Sequence, residues 1–309
     1  MTRISVIIAT HNRADLLSIA LESVARQTLD PTRYEVIVVD NASTDNTAAL
    51  IGQMSATMPQ LRCIAEERLG LSWARNAGLA AAQSPYVAYL DDDARAEPEW
   101  LEALLAAFEE TSPKPQCVGG PVFLNWNGLP QRVPARFWSL LSYVSHGDRN
   151  RALTDKEHLV GANIAFDRDA LLETGGFSTN LGRKGSQLLS GEEAQVVARI
   201  RQRGGLVFYA ANAAVWHIVQ PDRIRKSWLW RRIFWDGASQ PVLDGVPERT
   251  RSYCALQAYR DLKRIGYFTL NAALALFRRD QERSLDFALY ATQRAGRLRT
   301  HLLLLLGSA

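Results

Sequence analysis

The chain has 309 residues, 47% of them hydrophobic, which supplies apolar material for one large domain or two modest ones and excludes a mainly disordered polymer. Its formal charge of +4 is an average: residues 1–222 carry 20 basic and 25 acidic side chains, net −5, whereas residues 223–309 carry 16 and 7, net +9. That split argues against a uniformly basic nucleic-acid binder and for a globular body with a basic end suited to an anionic surface such as membrane headgroups.

Residues 4–9 are an apolar run that reads as a first core strand. Asn12, Arg13 and Asp15 follow it with no small-residue cleavage site, so it does not read as a signal peptide. Leu17, Leu21 and Val24 fall on one face of a helix over 14–27. A second strand spans 34–39 and ends at Asp40, and Asp45 is the expected N-cap of a helix reaching about Ser55. Residues 61–64 form a third strand, and Gly70 and Ser72 introduce a helix carrying Trp73, Ala77 and Ala81. A fourth strand, 86–90, runs into Asp91-Asp92-Asp93, and Pro98 opens a helix to about Glu110. Residues 118–123 read as one fifth strand, and 134–146 as a short helix or loop. Then come a strand at 164–166, a short helix stopped by Gly175-Gly176, a loop over 182–190, a helix over 192–203 and short strands at 206–209 and 213–217. Beyond Pro221 the chain is helical, basic and aromatic.

Four strand–helix alternations within the first 110 residues predict an α/β fold with a mostly parallel sheet covered by helices. Ligands of such sheets collect beyond the carboxyl ends of the strands, where Asp40 and Asp91 both fall. Three adjacent aspartates repel one another unless water or a cation neutralises them. Alternation along an extended chain lets Asp91 and Asp93 face one site, and their hard oxygens suit Mg²⁺ or Mn²⁺ on substrate phosphates. Thr10, Asn12 and Arg13 offer donors beside them, Asp40 is placed for ribose hydroxyls or a base, and Arg75-Asn76 could pair with a phosphate or orient Asp91. Three widely spaced cysteines, Cys63, Cys117 and Cys254, offer neither a disulfide framework nor a structural zinc motif.

Four segments in order carry a specific resemblance: Val6-Ile7-Ile8-Ala9-Thr10-His11-Asn12-Arg13, Val38-Val39-Asp40-Asn41-Ala42-Ser43-Thr44-Asp45, Gly70-Leu71-Ser72-Trp73-Ala74-Arg75-Asn76-Ala77-Gly78 and Asp91-Asp92-Asp93. The sequence resembles family 2 of the inverting, nucleotide-sugar-dependent glycosyltransferases, which have the GT-A fold. Later matches extend the resemblance to about residues 3–217 and include Gly161-Ala162-Asn163, Gly175-Gly176-Phe177, Gly191-Glu192-Glu193 and Trp216-His217. The resemblance implies a catalytic domain over 1–222, with a nucleotide-sugar half (1–120) and an acceptor and base half (121–222). It implies donor binding by Thr10, His11, Asn12, Arg13, Asp40, Asn41, Ser43, Arg75, Asn76, Asp91 and Asp92, with a UDP-sugar favoured. Asp93, Asp91 and His217 would hold the divalent ion. Glu193 would be the general base, in place of the commoner and shorter aspartate, and Glu192 an acceptor contact or alternative base. Asn163, Arg231, Arg232 and Trp235 would touch diphosphate or acceptor.

The implied partners are a nucleotide-diphospho-sugar and a glycan or lipid-linked saccharide, with no nucleic acid. The expected location is the cytoplasm, at or near the inner face of the membrane. The region 223–309 is expected to be a helical extension. Its cationic and aromatic segment over 223–235 could flank the diphosphate, stack on a sugar, touch membrane phosphates or pack back on the domain. Its apolar segments over 265–277 and 302–306 are each too short to span a bilayer. They could pack on the catalytic domain, pair two copies or touch a membrane. Two other readings fit less well. A sugar-phosphate nucleotidyltransferase should show a Gly-rich triphosphate loop where Thr10-His11-Asn12-Arg13 stands. A binding scaffold with a degenerate site should lack Asp91, Asp93 or Glu193.

Overall fold

The structure is a computed structural model and describes residues 1–245 and 249–307. The chain divides into two compact units: residues 1–179 with 192–221, and residues 180–191 with 222–309.

The first unit is built on an eight-stranded sheet. Its strands are β1 (Ile4–Thr10), β2 (Tyr34–Asp40), β3 (Leu61–Ala65), β4 (Tyr86–Leu90), β6 (Cys117–Gly119), β8 (Arg151–Ala152), β9 (Asn163–Asp167) and β10 (Val207–Tyr209). The order is β3-β2-β1-β4-β9-β6-β10-β8. Strands β1 to β4 are mutually parallel, β9 is antiparallel to both its neighbours, and β10 runs parallel to β6. A second sheet of three strands, β5 (Ala94–Ala96), β7 (Val122–Asn125) and β11 (Val215–Ile218), has the order β5-β11-β7.

Helices cover both faces of the large sheet, which is why its strands are apolar at nearly every position. Val6, Ile8, Val36 and Val38 face α1 (Ala14–Ala25) and α4 (Trp100–Glu110) in one core, with Leu17, Leu21, Trp100 and Phe108. The alternate residues Ile7, Ile37 and Val39 enter a second core with Ala74 and Leu79 of α3 (Leu71–Ala81) and Val196 and Ile200 of α6 (Glu192–Gln202). Each such aliphatic side chain contributes roughly 1.5–3 kcal/mol by leaving water. Helices α2 (Thr47–Thr57) and α5 (Arg168–Glu173) complete this unit's α-helices among the described residues, and 3₁₀ helices stand at Pro31–Arg33 and Ala135–Leu141, the latter within the segment expected to be a short helix or loop.

Three details depart from the sequence expectation. The single strand expected over 118–123 is two strands, β6 and β7, in different sheets. Gly120-Pro121 separates them, and a Cβ on Gly120 would lie 1.9 Å from the Ala213 carbonyl oxygen, so the chain turns where no side chain fits. Strand β5, only three residues long, was not expected. Asp45 caps the second helix from one position further out: Asn46 is the N-cap, while Asp45 Oδ1 accepts from the Thr47 amide at 3.1 Å.

The second unit contains α7 (Lys226–Leu243), α8 (Arg251–Phe277) and α9 (Gln281–Leu306). Helices α7 and α9 cross with their backbones touching at Gly237 and Gly296. A Cβ on Gly237 would stand 1.9 Å from the Gln293 carbonyl oxygen, and one on Gly296 1.9 Å from that of Phe234. Asp261 of α8 and His301 of α9 are buried and joined at 3.0 Å, with Arg294 also bonded to Asp261. Among the described residues no helix is long and apolar enough to cross a membrane.

Candidate active site

The carboxyl edge of the large sheet gathers the polar residues that the sequence singles out. Parallel pairing sets Thr10 beside Asp40, and antiparallel pairing sets Asn163 beside Leu90, so the loops after β1, β2 and β4 and the loop before β9 leave from one edge. The small sheet supplies the last member. Strand β5 begins directly after Asp93, and its register with β11 pairs Ala94 with His217. The Ile218 amide donates to the Asp93 carbonyl at 2.8 Å. As a result His217 Nε2 lies 3.2 Å from Asp93 Oδ1, with both side chains buried.

Asp91, Asp93 and His217 each offer one ligand atom within a sphere where all three lie within 4.8 Å of one another. Two hard carboxylates and one imidazole, with Asp91 half-buried, form a donor set that fits a small divalent ion reached from one side. Asp92 points elsewhere. It is buried, accepts from Thr10 Oγ1 at 2.9 Å and from Arg13 Nη1 at 3.0 Å, and Arg13 Nη1 also reaches Asp93 Oδ2 at 3.1 Å. Burial, with Asp93 and Asp91 adding to it, pushes the Asp92 carboxyl up to about 6 against the pull of Arg13 and Thr10. The Arg13 guanidinium is held firmly charged, chiefly by Asp92.

Arg75 joins this cluster to α6. Its guanidinium is buried and donates to Glu192 Oε1 at 2.9 Å, Asp91 Oδ1 at 3.1 Å and the Gly161 carbonyl at 3.2 Å. A Cβ on Gly161 would lie 2.4 Å from Arg75 Nη2, so glycine there leaves room for the guanidinium. The rings of Phe177 and Tyr89 stand 5.4 and 5.9 Å from Arg75 Cζ. The bond to Asp91 is the contact that orienting that carboxylate requires. Burial, then the neighbouring Glu193, raises Glu192 to about 7, with Arg75 opposing, and Glu192 Oε2 is buried with no hydrogen-bond partner among the described residues. Glu193 follows on the first turn of α6, half-buried, where the helix dipole favours negative charge.

The remaining expected residues divide into exposed and buried groups. His11, Asn12 and Ser43 are at least partly exposed. His11 Nδ1 donates to the Asn41 carbonyl at 2.7 Å, the Asn12 amide to Ser43 Oγ at 3.0 Å, and the Thr44 amide to Asn12 Oδ1 at 2.6 Å, so the first two loops brace one another. Asp40 accepts from the Ser43 amide at 3.0 Å. Three side chains expected to touch substrate are engaged inside the protein. The buried Asn41 amide bonds the Glu66 and Arg68 carbonyls and the Gly70 amide. Asn76 bonds both the amide and the carbonyl of Phe177, fixing the Gly175-Gly176 turn. Asn163, expected among the diphosphate or acceptor contacts, is fully buried and ties Trp100 Nε1 to the Pro121 and Ala213 carbonyls. Within the second unit, Arg231 donates to the Ser186 carbonyl, Arg232 to the Leu188 carbonyl and Ser190 Oγ, and Trp235 lies under Arg299. Cys117 and Cys254 are buried, Cys63 is exposed, and all three are free.

Residues 5–175 match the sequence profile of Glycosyl transferase family 2. The chain is 34% identical over 247 residues to the glucosyl-dolichyl phosphate glucuronosyltransferase of Haloferax volcanii, an alignment covering 78% of this chain and 77% of that one. A mannosyltransferase of Pyrobaculum calidifontis, solved with GDP-Man and Mn²⁺, superposes with a TM-score of 0.61 at 21% identity, covering 96% of this chain and 87% of that one. Residues 1–349 of TarS from S. aureus, solved with UDP-GlcNAc, give a TM-score of 0.54 at 17% identity over 78% of this chain and 67% of that one. The mixed sheet and its covering helices are those of the GT-A fold. The chain belongs to glycosyltransferase family 2 and is an enzyme of that class.

Proposed function

We propose that the enzyme moves a sugar, with inversion, from a nucleotide-diphospho-sugar to a hydroxyl of a glycan or lipid-linked saccharide. The observation that carries this reading is the join made by Arg75. It couples Asp91 of the metal-type cluster to Glu192 at the head of α6, next to Glu193. The Haloferax relative, named for a lipid-linked saccharide acceptor, supports the acceptor class. The fold neighbours hold GDP-Man and UDP-GlcNAc, and a UDP-sugar is the first donor to test.

Asp91, Asp93 and His217 would hold Mn²⁺ or Mg²⁺, which when bound neutralises charge growing on the departing diphosphate. Asp40, with the His11–Arg13 and Asn41–Ser43 loops, would seat the nucleoside. Arg13 holds the buried Asp92 and Asp93 in place. Glu193 would accept the hydroxyl proton as the acceptor oxygen bonds to the anomeric carbon and the bond from that carbon to the phosphate oxygen breaks. Glu192, locked to Arg75, positions this end of α6. Replacing Glu193 with glutamine should keep donor binding within about twofold and reduce transfer by roughly 10²–10⁴-fold. Normal transfer by that variant would remove Glu193 from the mechanism, and failure of every nucleotide-sugar to bind the wild-type protein in calorimetry with Mn²⁺ would remove the donor class.

A further inference from the structure

Helix α8 has one side packed and one side bare. Cys254, Ala258, Asp261 and Ala275 face inward. The opposite side presents Leu256, Tyr259, Tyr267, Leu270, Leu274 and Phe277 at intervals of three, four, seven and eight residues, which places them on one face of the helix. These are large apolar side chains left in water: Leu270 is 61% exposed and Phe277 88%. An exposed apolar stripe of this length, with Lys263 set into it between Tyr259 and Tyr267, marks an interaction surface.

The charge pattern identifies the occupant. Arg260, Lys263 and Arg264 are exposed on or beside the stripe, and Arg278 and Arg279 follow its C-terminal end. The sole acidic residue of α8, Asp261, is on the buried side, bonded to His301 and Arg294. The exposed face is therefore apolar and cationic along the helix, and the nearest exposed carboxylates in sequence among the described residues, Asp280 and Glu282, lie beyond its end after Arg278 and Arg279. A second copy of the same face would set Lys263 and its arginine neighbours near like charges. The segment over 223–235, where the sequence also concentrates aromatic and basic residues, presents less: Trp228 and Ile233 are buried, and Arg232 is bonded within its own unit.

We infer that the outer face of α8 docks on an anionic lipid bilayer, lying in the interface with its apolar side chains among the acyl chains and its cations at the phosphates. The helix lies on the bilayer and does not cross it, in keeping with its moderate hydropathy. This extends the proposal that the acceptor is lipid-linked, because it sets the enzyme on the surface where such an acceptor is held, but its evidence is the face of α8 alone.

The test is sedimentation of the full-length protein with vesicles of phosphatidylcholine alone or with 30 mol% phosphatidylglycerol (about a third of the lipid, a typical anionic probe). The wild type should partition onto the anionic vesicles and remain in solution with the neutral ones. Arg260→Gln/Lys263→Gln/Arg264→Gln should weaken that partition by about tenfold or more, since each cation near such a surface contributes on the order of 1 kcal/mol. Leu270→Ser/Phe277→Ser should weaken it by about tenfold or more while leaving the melting curve unchanged, as these side chains make their gain in the bilayer. Equal binding to both vesicle types, or undiminished binding by either variant, overturns the inference. So does light scattering that shows a wild-type dimer converted to monomer by Leu270→Ser/Phe277→Ser, since the face then belongs to a second copy. Nucleotide-sugar binding without vesicles is measured on the same preparations, so failure of membrane docking and failure of the transferase reading are separately visible.

Discussion

Replacing Arg75 with methionine keeps a long unbranched side chain and removes the guanidinium that bridges Glu192, Asp91 and Gly161. Stripping one partner from a buried ion pair costs roughly 3–5 kcal/mol, because the other charge is left without compensation. Glu192 can escape part of that cost by taking a proton, so the loss depends on pH in a calculable direction. In the wild type its carboxyl ionises at about 7, with Arg75 already lowering it against burial and Glu193. Without Arg75 the folded variant keeps that proton to higher pH, whereas the unfolded chains of both proteins release it near 4.5. A raised folded-state pKa makes the folded form lose stability as pH rises past the unfolded value, and the variant goes on losing it where the wild type has stopped. Between pH 6 and 8 the variant should fall behind by a further ~1.4 kcal/mol, the equivalent of one additional pH unit over which only the variant keeps the proton. Urea unfolding followed by circular dichroism at the two pH values measures this, and adding Glu192→Gln should flatten the pH difference. A loss below about 1 kcal/mol, or an equal loss at both pH values, would refute the reasoning.

His217→Ala should reduce Mn²⁺-dependent donor binding at least tenfold in calorimetry, a loss of about 1.4 kcal/mol or more, while metal-free folding is retained. Asp93→Asn should do the same and should also remove one of the two carboxylate charges on Arg13, which keeps its bond to Asp92, so donor binding at saturating Mn²⁺ should not return to the wild-type level. In the helical unit, Gly296→Val places side-chain carbon against the Phe234 carbonyl and should destabilise by about 3 kcal/mol, read as a drop in melting temperature. Gly266→Ala, at a helical position with open space around its Cα, should leave stability unchanged or improve it by up to about 1 kcal/mol.

The sheet was readable because its long strands are mostly apolar runs, three of them with a polar residue at or just past the end. Those ends, Thr10, Asp40 and Asp91, mark the edge where the site forms. Short strands carry too few residues to show a period, so β5 went unseen and β6 and β7 merged into one. The bracing amides also escaped notice: nothing in a motif distinguishes an asparagine that meets a ligand, as expected of Asn163, from one that fastens Trp100 to two carbonyls. The Arg75–Glu192 pair spans 117 residues and has no local signature, although Arg75 and Glu192 were each singled out separately. Gly161 was the nearest clue, since a glycine at that point clears space for whatever packs on it.

The three candidate metal donors are mounted differently. Asp93 and His217 sit at the junction of β5 and β11, where strand register and the bond from the Ile218 amide to the Asp93 carbonyl set their separation. Asp91 stands ahead of that ladder and is steadied by the side chain of Arg75. Two of the three candidate donors are thus set by backbone register, and the third by a side chain that also holds the head of α6.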